Sequence, residues 1–361
     1  MKKKVCFFLY NLDPGGLEVY LLRFLTFMGD KVEGTVIVKS GKTGQLLNDY
    51  QSLGIKIVPV KSGYFNFKAW FTIYRFLKNN RFDAVCDLTS NFGGVYMFLG
   101  WLAGVKGRMA YYGQSTNHFK ETFFNLTYNR FVNFLVLRFS TSIVLNSQSA
   151  IDFFFGKRKD KRFSVIFNGV DSSQFIPERD YFFRNMLGIP ENAFVVGHTG
   201  RFDEKKNHNA VLALAEKLVK IKDDIYVMMC GKETDHLNGR ITKMGLNNKV
   251  FALGYRREVS LFLRNIDIFY FPSYTEGQPN SLIEALMTGL PFVASDIQPN
   301  KDTLPPGFEH QLVGADDIDA AVSRVMEVYN DRELGRKLSC RDWAIRTFDA
   351  KLRFEEFYAC L

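Results

Sequence analysis

Residues 271–291, FPSYTEGQPNSLIEALMTGLP, decide the fold because they contain the end of a strand, a loop and a helix in close succession. The apolar run 268–271 predicts a short buried strand, and Pro272 and Ser273 end it. After the loop, an amphipathic helix is expected from about residue 281 to residue 288, closed by Gly289. A strand, a loop and a helix in this order predict one unit of an α/β fold.

This stretch also contains two glutamates separated by seven residues, Glu276 and Glu284. Glu276 lies on the loop at the carboxyl end of the strand, where open α/β sheets bind ligands. Glu284 lies inside the following helix, and the N-terminus of that helix is suited to an anion. We therefore expect a sugar-nucleotide site here. The competing interpretation is two ordinary polar residues flanking a helix start.

The spacing and its flanking residues resemble the E-x7-E motif of the retaining, family-four glycosyltransferases of the GT-B fold. The form EGQPNSLIEAL is similar to the version in bacterial polysaccharide and lipopolysaccharide enzymes. The resemblance implies that Glu276 and the neighbouring backbone bind the transferred sugar and that Glu284 binds the ribose. It implies that the donor contacts include Glu276, Gly277, Gln278, Pro279, Asn280, Ser281, Leu282 and Glu284.

Bulk composition limits the class of protein. A chain of 361 residues is expected to form two domains. The net charge of +9 favours anionic partners, and no zinc or RNA-binding signature in the sequence points to nucleic acid. Five scattered cysteines indicate reduced thiols in a cytoplasmic protein. No apolar run reaches the roughly 18 residues of a membrane span.

Short apolar runs alternate with helix-length segments, which predicts repeated βα units and parallel sheets. Strands are expected over 5–9, 34–38, 55–59, 84–88, 109–112, 142–145, 195–199, 225–229, 250–253, 268–271 and 292–294. The connection between the halves is placed over 168–192. The resemblance implies a GT-B fold, in which two doubly wound Rossmann-like domains face each other across a cleft. The expected divisions are an acceptor-binding domain over 1–175, a donor-binding domain over 176–345 and a helix over 346–361 that returns to the first domain.

Paired glycines follow the first predicted strand. Gly15 and Gly16 precede a helix, and Glu18 comes two residues later. Glycine lets backbone amides approach a phosphate or a sugar closely. The pattern resembles the family's GGxE motif, which places both glycines near the donor and Glu18 on the acceptor side. By itself, a glycine pair before a helix is usually only a turn.

A basic loop follows the first strand of the second half. The sequence GRFDEKKN, over 200–207, resembles the family motif in which Arg and Lys hold the donor's diphosphate. The resemblance assigns these roles to Arg201 and Lys206, which with Glu276 form the predicted catalytic set. Lys205 becomes a solvated neighbour. Fixed cations stabilise the charge that grows on a departing diphosphate, although a basic turn is usually only solvated.

Two further loops follow the predicted strands that end near residues 229 and 253. In the family, the corresponding loops meet the nucleotide base. The resemblance therefore assigns Tyr255, on the second of these loops, to the donor site. The pair Asp317 and Asp319 opens a helix and is explained by capping, so no metal is predicted. No other cofactor is expected, and a UDP-sugar is the favoured donor substrate.

One family feature is absent from its usual place. Relatives commonly carry a histidine after the strand represented here by 109–112, directed at the transferred sugar. In this chain Gln114 or Ser115 falls nearest that place, and His118 comes later. All three are assigned to the acceptor side together with Glu18, and the sequence leaves open which of them replaces the histidine.

The aromatic share of 15% is high, and the excess is concentrated in two stretches of the first half, 64–78 and 118–138, where the rings mix with Lys and Arg. Burial against the sheet explains most of these rings. Aromatic rings edged by basic residues also suit a helix that lies on anionic lipid, so docking on a membrane is a second hypothesis.

The sequence therefore predicts a retaining, metal-independent hexosyltransferase that uses a nucleotide-diphosphate sugar in cell-surface polysaccharide synthesis. The expected acceptor is a glycan or a lipid-linked glycan. The expected location is the cytoplasm, at the inner face of the plasma membrane. Two alternatives remain: another GT-B enzyme such as a nucleotide-sugar 2-epimerase, and a non-catalytic GT-B scaffold that binds a nucleotide sugar or a partner.

Overall fold

The computed structural model describes residues 1–63, 65–114, 122–156 and 158–361, with the side chain of Asn91 left out. The chain divides into two compact units. Unit 1 comprises Met1–Gly169 and Ala350–Leu361, and unit 2 comprises Val170–Asp349. The sequence placed these boundaries after residues 175 and 345.

In the described part of unit 1, seven parallel strands lie in the order β3-β2-β1-β4-β5-β6-β7. They are β1 (Lys3–Leu9), β2 (Val32–Val38), β3 (Lys56–Pro59), β4 (Ala84–Asp87), β5 (Gly107–Tyr112), β6 (Ser142–Leu145) and β7 (Phe163–Val165). The order reverses direction between β1 and β4. In such sheets ligands bind outside the carboxyl ends of the strands at this switch point.

Helices cover both faces of this sheet. They are α1 (Gly16–Met28), α2 (Leu47–Ser52), α3 (Phe67–Asn80), α4 (Gly94–Leu102), α5 (Phe123–Phe139) and α6 (Gln148–Phe155), with a 3-10 turn at Ser90–Phe92. Alternate residues of β1 face opposite sides, as the period of a strand requires. Phe7 packs with α1 in one core, and Phe8 packs with α3, α4 and α5 in the other.

In unit 2, all of whose residues are described, six parallel strands lie in the order β10-β9-β8-β11-β12-β13. They are β8 (Phe194–Thr199), β9 (Ile225–Cys230), β10 (Val250–Ala252), β11 (Ile268–Phe271), β12 (Phe292–Ser295) and β13 (Leu312–Val313). The switch point here lies between β8 and β11. Both units are therefore doubly wound parallel sheets, and the predicted fold class is confirmed.

The helices of unit 2 lie on both sides of its sheet. They are α7 (Phe182–Leu187), α8 (His208–Ile221), α9 (Asn238–Lys243), α10 (Val259–Leu263), α11 (Asn280–Thr288), α12 (Gln298–Lys301), α13 (Ile318–Asn330), α14 (Arg332–Lys337) and α15 (Arg341–Phe348). Short 3-10 turns span Glu204–Lys206, Thr234–Leu237 and Glu309–Gln311.

The last helix, α16 (Ala350–Ala359), belongs to unit 1. Phe357 lies 4.8 Å from Phe24 of α1 between ring centroids, and Phe354 lies 5.8 Å from the same ring. Both phenylalanines are buried, and burial of each contributes about 1.5–3 kcal/mol. The far end of the chain thus completes the core in which the first strand is buried.

Every strand predicted from the sequence is present, with each end within two residues of the prediction. The predictions missed β7 and β13, edge strands too short to show a period, and α7, which lies inside the segment taken as the connection. The final helix was predicted over 346–361, but Asp349 separates α15 from α16. Among the described residues, no helix is both long and apolar enough to cross a membrane.

Candidate functional site

The loops at the carboxyl ends of the unit 2 strands are joined by backbone hydrogen bonds. The Gly200 N–H donates to the Cys230 carbonyl over 3.0 Å, and the Gly231 N–H donates to the Gly254 carbonyl over 2.9 Å. The Tyr274 N–H donates to the Lys205 carbonyl over 2.8 Å. The loops after β8, β9, β10 and β11 therefore form one continuous rim around the switch point.

Gly231 permits the closest of these approaches. Its φ is +154°, and a Cβ at this position would collide with the Gly200 carbonyl and lie 2.9 Å from the Arg201 nitrogen. Only glycine offers both this conformation and this space. The close contact sets the position of the loop that carries Arg201 and Lys206.

Two of the predicted catalytic residues meet at this rim. Lys206 Nζ lies 2.6 Å from Glu276 Oε1, and the side chains are 20% and 10% exposed. Lys206 Nζ also lies 5.3 Å from the centroid of the Phe271 ring, the last residue of β11. A cation and a carboxylate are thus fixed side by side at the β8/β11 switch point, where both are largely shielded from water.

The Arg201 side chain is more exposed than that of Lys206 and has a more distant ionic partner. Its side chain is 55% exposed, and Nε lies 3.5 Å from Asp203 Oδ2. A surface pair of this kind contributes little stability, so the guanidinium is free to exchange Asp203 for a stronger anion. A phosphate would offer a bidentate partner.

The loop after Glu276 leads directly into α11. Gln278 and Pro279 are buried, and the N–H groups of Leu282 and Ile283 donate to the Pro279 carbonyl over 3.0 and 3.1 Å. Leu282 is fully buried. Its side chain and its N–H therefore stabilise the start of the helix, whereas Gly277, Asn280 and Ser281 are partly exposed at the rim.

Glu284 lies in the second turn of α11 and is only 7% exposed. Burial raises the pKa of the Cys230 thiol at the end of β9, and the charge of Glu284 raises it further. Glu284 therefore lies close enough to the end of β9 to act electrostatically on Cys230. Tyr255 lies on the next loop, after Gly254, and is 40% exposed.

Sequence reasoning left Arg256 and two histidines out of the site. Arg256 also acts electrostatically on Cys230, and its buried Nε has no hydrogen-bond partner among the described residues. The rings of His198 and His208 lie 5.0 Å apart, and His198 Nδ1 lies 3.0 Å from the Tyr270 carbonyl oxygen. Burial lowers the pKa of both, to about 4 for His208. These neutral rings support the loop after β8, and no local sequence pattern marks them.

In unit 1, the paired glycines lie between β1 and α1. Gly15 is the N-cap of α1, and the carboxylate of Glu18 lies so close that a Cβ at Gly15 would collide with it. No described heavy atom lies within 4 Å of a Cβ placed on Gly16. The Tyr50 hydroxyl donates to the Glu18 carbonyl over 2.6 Å and fixes this turn.

A cavity of about 490 Å³ lies in unit 1 at the carboxyl ends of its strands. Glu18 and Gln114 both line it, so the structure brings these two acceptor-side residues together. Ser115 and His118 lie outside the described residues. The cavity wall is rich in aromatic rings, contributed by Tyr10, Trp70, Phe92, Tyr96 and Tyr128.

A buried ion pair lies beside this cavity. Lys39 Nζ lies 3.0 Å from Asp87 Oδ2 and 4.4 Å from the centroid of the Tyr96 ring, and it also donates to the Thr89 hydroxyl. Burial lowers the pKa of Lys39, and the Asp87 carboxylate opposes that change. The neighbouring Ser90 has a φ of +55°, and its buried hydroxyl has no partner within the described ranges. No local sequence pattern marks this cluster, because Lys39 follows β2 whereas Asp87 ends β4.

The predicted cap at Asp317 is present, since its carboxylate accepts a hydrogen bond from the Ala320 N–H of α13 over 3.0 Å. Asp319 pairs with Lys217 at 2.5 Å. Across the described part of the chain, no group of three His, Cys, Asp or Glu side chains converges closely enough to hold a metal ion.

Two doubly wound sheets with polar loops at each switch point are the architecture of the GT-B fold. The structure of Anabaena HepE in complex with UDP and glucose superposes with a TM-score of 0.83, covering 99% of this chain and 98% of that chain at 19% identity. A glycosyltransferase from Rickettsia africae superposes with a TM-score of 0.80 at 17% identity. The predicted GT-B fold is thereby confirmed.

The sequence comparisons identify the group. Residues 181–341 match the family described as Glycosyl transferases group 1, so this part of the chain is a domain of that family. The chain is 26% identical to the Escherichia coli UDP-Gal:alpha-D-GlcNAc-diphosphoundecaprenol alpha-1,3-galactosyltransferase, covering 80% of this chain and 77% of the relative. It is 26% identical to the Staphylococcus aureus capsular polysaccharide biosynthesis glycosyltransferase CapH, covering 91% and 93%. The chain is therefore a relative of bacterial polysaccharide glycosyltransferases, as its motifs indicated.

Proposed function

We propose that this chain is a retaining, metal-independent hexosyltransferase that moves a sugar from a UDP-sugar to a hydroxyl of a glycan or lipid-linked glycan. The observation that carries the proposal is the Lys206–Glu276 pair at the β8/β11 switch point. In an open α/β sheet this is the expected ligand position. The pair combines a cation for phosphate with a carboxylate for sugar hydroxyls.

Each donor group has a matching residue in this arrangement. Lys206 and Arg201 hold the diphosphate, and Glu276 with the backbone of the following loop orients the sugar. Glu284 accepts hydrogen bonds from the ribose hydroxyls. Tyr255 lies on the loop assigned to the base.

For this site we propose the front-face reaction that the resemblance to retaining enzymes implies. The acceptor hydroxyl attacks the anomeric carbon on the face from which the diphosphate leaves, and the bond between that carbon and the diphosphate oxygen breaks with its electrons on the oxygen. The proton of the hydroxyl passes to the departing diphosphate. Lys206 and Arg201 stabilise the negative charge that grows there, and electrostatic stabilisation of this kind is commonly the largest catalytic contribution.

The relatives support the choice of substrates. The E. coli relative is named for UDP-Gal and for an acceptor linked to diphosphoundecaprenol. HepE was solved with UDP and glucose. We extend these features to the present chain as a UDP-sugar donor and a lipid-linked glycan acceptor, reached in the cytoplasm at the inner face of the plasma membrane, with a peripheral contact to anionic lipid. No specific observation favours the epimerase or the non-catalytic scaffold.

A panel of UDP-, GDP- and ADP-sugars tests the proposal through thermal unfolding and release of nucleoside diphosphate. A UDP-sugar at about 100 times its dissociation constant is expected to stabilise the protein by about 2.7 kcal/mol and to be hydrolysed slowly. If no nucleotide sugar stabilises the protein, the donor assignment is wrong. Tight binding without release of diphosphate, even with added lipid-linked acceptors, would support the scaffold alternative.

Glu284→Gln is expected to weaken UDP binding by about 10- to 150-fold, because a hydrogen bond to a charged group contributes about 1.5–3 kcal/mol. Titration calorimetry with UDP and with 2′,3′-dideoxy-UDP measures the effect. The variant should bind the dideoxy compound as the unaltered protein does, since that compound lacks the ribose hydroxyls.

Glu216→Gln is the matched control, since Glu216 lies on α8 and pairs only with Lys220 in its own helix. It should bind both nucleotides normally. If Glu284→Gln loses as much affinity for 2′,3′-dideoxy-UDP as for UDP, Glu284 supports the fold and does not contact the ribose.

A further inference from the structure

Three adjacent helices of unit 1 expose large aromatic side chains on their outer sides. The inner sides of α3, α4 and α5 pack into one core through residues such as Ile73, Met97 and Val136. Their outer sides and the turn before α3 expose a set of rings that we call the aromatic face. It consists of Phe65, Phe67, Phe71, Trp101, Phe123, Phe124, Phe131 and Phe134.

The exposure of these rings is large. Phe123 is 87% exposed, Phe67 68% and Phe134 59%. Scattered apolar residues are normal on a protein surface, but many large rings on neighbouring helices mark a surface that meets a partner. The side chains on the opposite sides of the same helices are buried, so the packing of unit 1 leaves the aromatic face uncovered.

The charged residues of α3 and α5 have a single sign. The sequences of α3 and α5 contain no acidic residue. Their basic residues Lys68, Arg75, Lys78, Arg130 and Arg138 are all exposed. On α5 the basic residues occur at helical spacing among the exposed phenylalanines. A partner that matches this surface therefore has an apolar layer that receives the rings and a negatively charged layer that contacts the basic side chains.

A chain of ring contacts connects the aromatic face to the unit 1 cavity. Phe65 lies 5.4 Å from Tyr128 of the cavity wall and 6.3 Å from the exposed Phe124, measured between ring centroids. Phe67 lies 5.0 Å from Trp70, another wall residue. A molecule that occupies the cavity is therefore in reach of the exposed rings.

We propose that the aromatic face docks unit 1 on an anionic lipid bilayer. Its phenylalanine rings enter the boundary between headgroups and acyl chains, and the basic residues of α3 and α5 contact the lipid phosphates. This is the chemistry of an interfacial amphipathic helix, repeated on neighbouring helices. The same placement brings the polar head of a lipid-linked acceptor to the cavity while its chain stays in the bilayer.

The docking surface extends the membrane contact included in the proposed function, and it is tested without any nucleotide sugar. A failure of docking would leave the donor site unaffected, and a failure of the donor assignment would leave docking unaffected. None of the residues of the aromatic face belongs to the site of unit 2.

Flotation of the full chain with vesicles tests the surface. The protein is expected to bind vesicles of equimolar phosphatidylcholine and phosphatidylglycerol more tightly than vesicles of phosphatidylcholine alone, and to bind less tightly as salt is raised. Phe131→Ser/Phe134→Ser and Arg130→Glu/Arg138→Glu should each lower the partition constant at least about tenfold. Both variants should keep the thermal stability and the donor hydrolysis of the unaltered protein.

Matched controls lie in unit 2. Lys243→Glu/Lys337→Glu makes the same change in net charge at exposed sites, and Phe182→Ser removes a ring that is 56% exposed. Both should bind vesicles normally. The proposal is overturned if the unaltered protein does not bind anionic vesicles, or if the control variants lose as much binding as the others. It is also overturned if sedimentation shows that the aromatic face joins two copies of this chain, with Phe131→Ser/Phe134→Ser giving monomers.

Discussion

Lys206→Ala is expected to lower turnover of the donor sugar by about 100- to 1,000-fold, the usual cost of removing one fixed group that stabilises developing negative charge. Lys206 is held by Glu276 and by the face of the Phe271 ring, in a position only 20% exposed. Its charge is therefore poorly screened by water. Release of nucleoside diphosphate under single-turnover conditions measures the chemical step.

Lys205→Ala is the matched control, because the Lys205 carbonyl accepts the Tyr274 N–H and the mutation leaves the backbone in place. It should change turnover by less than about threefold. If both variants lose turnover equally, general positive charge is sufficient and the specific role of Lys206 is wrong.

Lys206→Ala also leaves the shielded Glu276 carboxylate without its cation. An unpaired buried charge destabilises the fold independently of catalysis. The double variant Lys206→Ala/Glu276→Gln removes this complication, since it has no unpaired charge. We expect it to regain thermal stability while turnover remains low. Recovery of turnover in the double variant would show that Lys206 acts only by neutralising Glu276.

Gly231→Ala is expected to destabilise the rim of unit 2 by about 3 kcal/mol. This is the upper end of the usual free-energy cost of adding atoms to a packed site or of straining the backbone. The added Cβ would collide with the Gly200 carbonyl, so the loop that holds Arg201 and Lys206 must move. Hydrogen exchange of the amides in β8 and β9 should accelerate about 100-fold, and donor affinity should fall with it. The strands of unit 1 provide an internal reference and should not change.

Gly239→Ala provides the comparison for this substitution. Gly239 lies within α9, and no described heavy atom is within 4 Å of its added Cβ. Alanine favours a helix over glycine by up to about 1 kcal/mol, so this variant should be slightly more stable. If the amides of β8 and β9 exchange at the normal rate in Gly231→Ala, the loops separate without a cost in free energy. Gly231 then does not determine the geometry of the rim.

Much of the fold could be predicted from local pattern. Short apolar runs and helix stop signals located the longer strands and α11 within one or two residues, because their periods and terminators are local features. The edge strands β7 and β13 have three and two residues and show no period. Their place comes from pairing with a neighbour in the sheet, which a local pattern does not contain.

The site was predictable only in part. The motifs assigned Lys206 and Glu276 to one donor site although 70 residues separate them, and the structure places them in contact. The buried pair Lys39 and Asp87 could not be found in this way, since neither residue stands in a recognisable motif. Tertiary packing alone creates that pair.

The position of α16 has a consequence for the order of events during synthesis. Unit 2 is one uninterrupted segment, so its core can close soon after residue 349 has left the ribosome. Unit 1 has most of its residues earlier but lacks Phe354 and Phe357, which complete its core. Unit 1, most of which is made before unit 2, therefore completes its core only after residues 350–361 have been made.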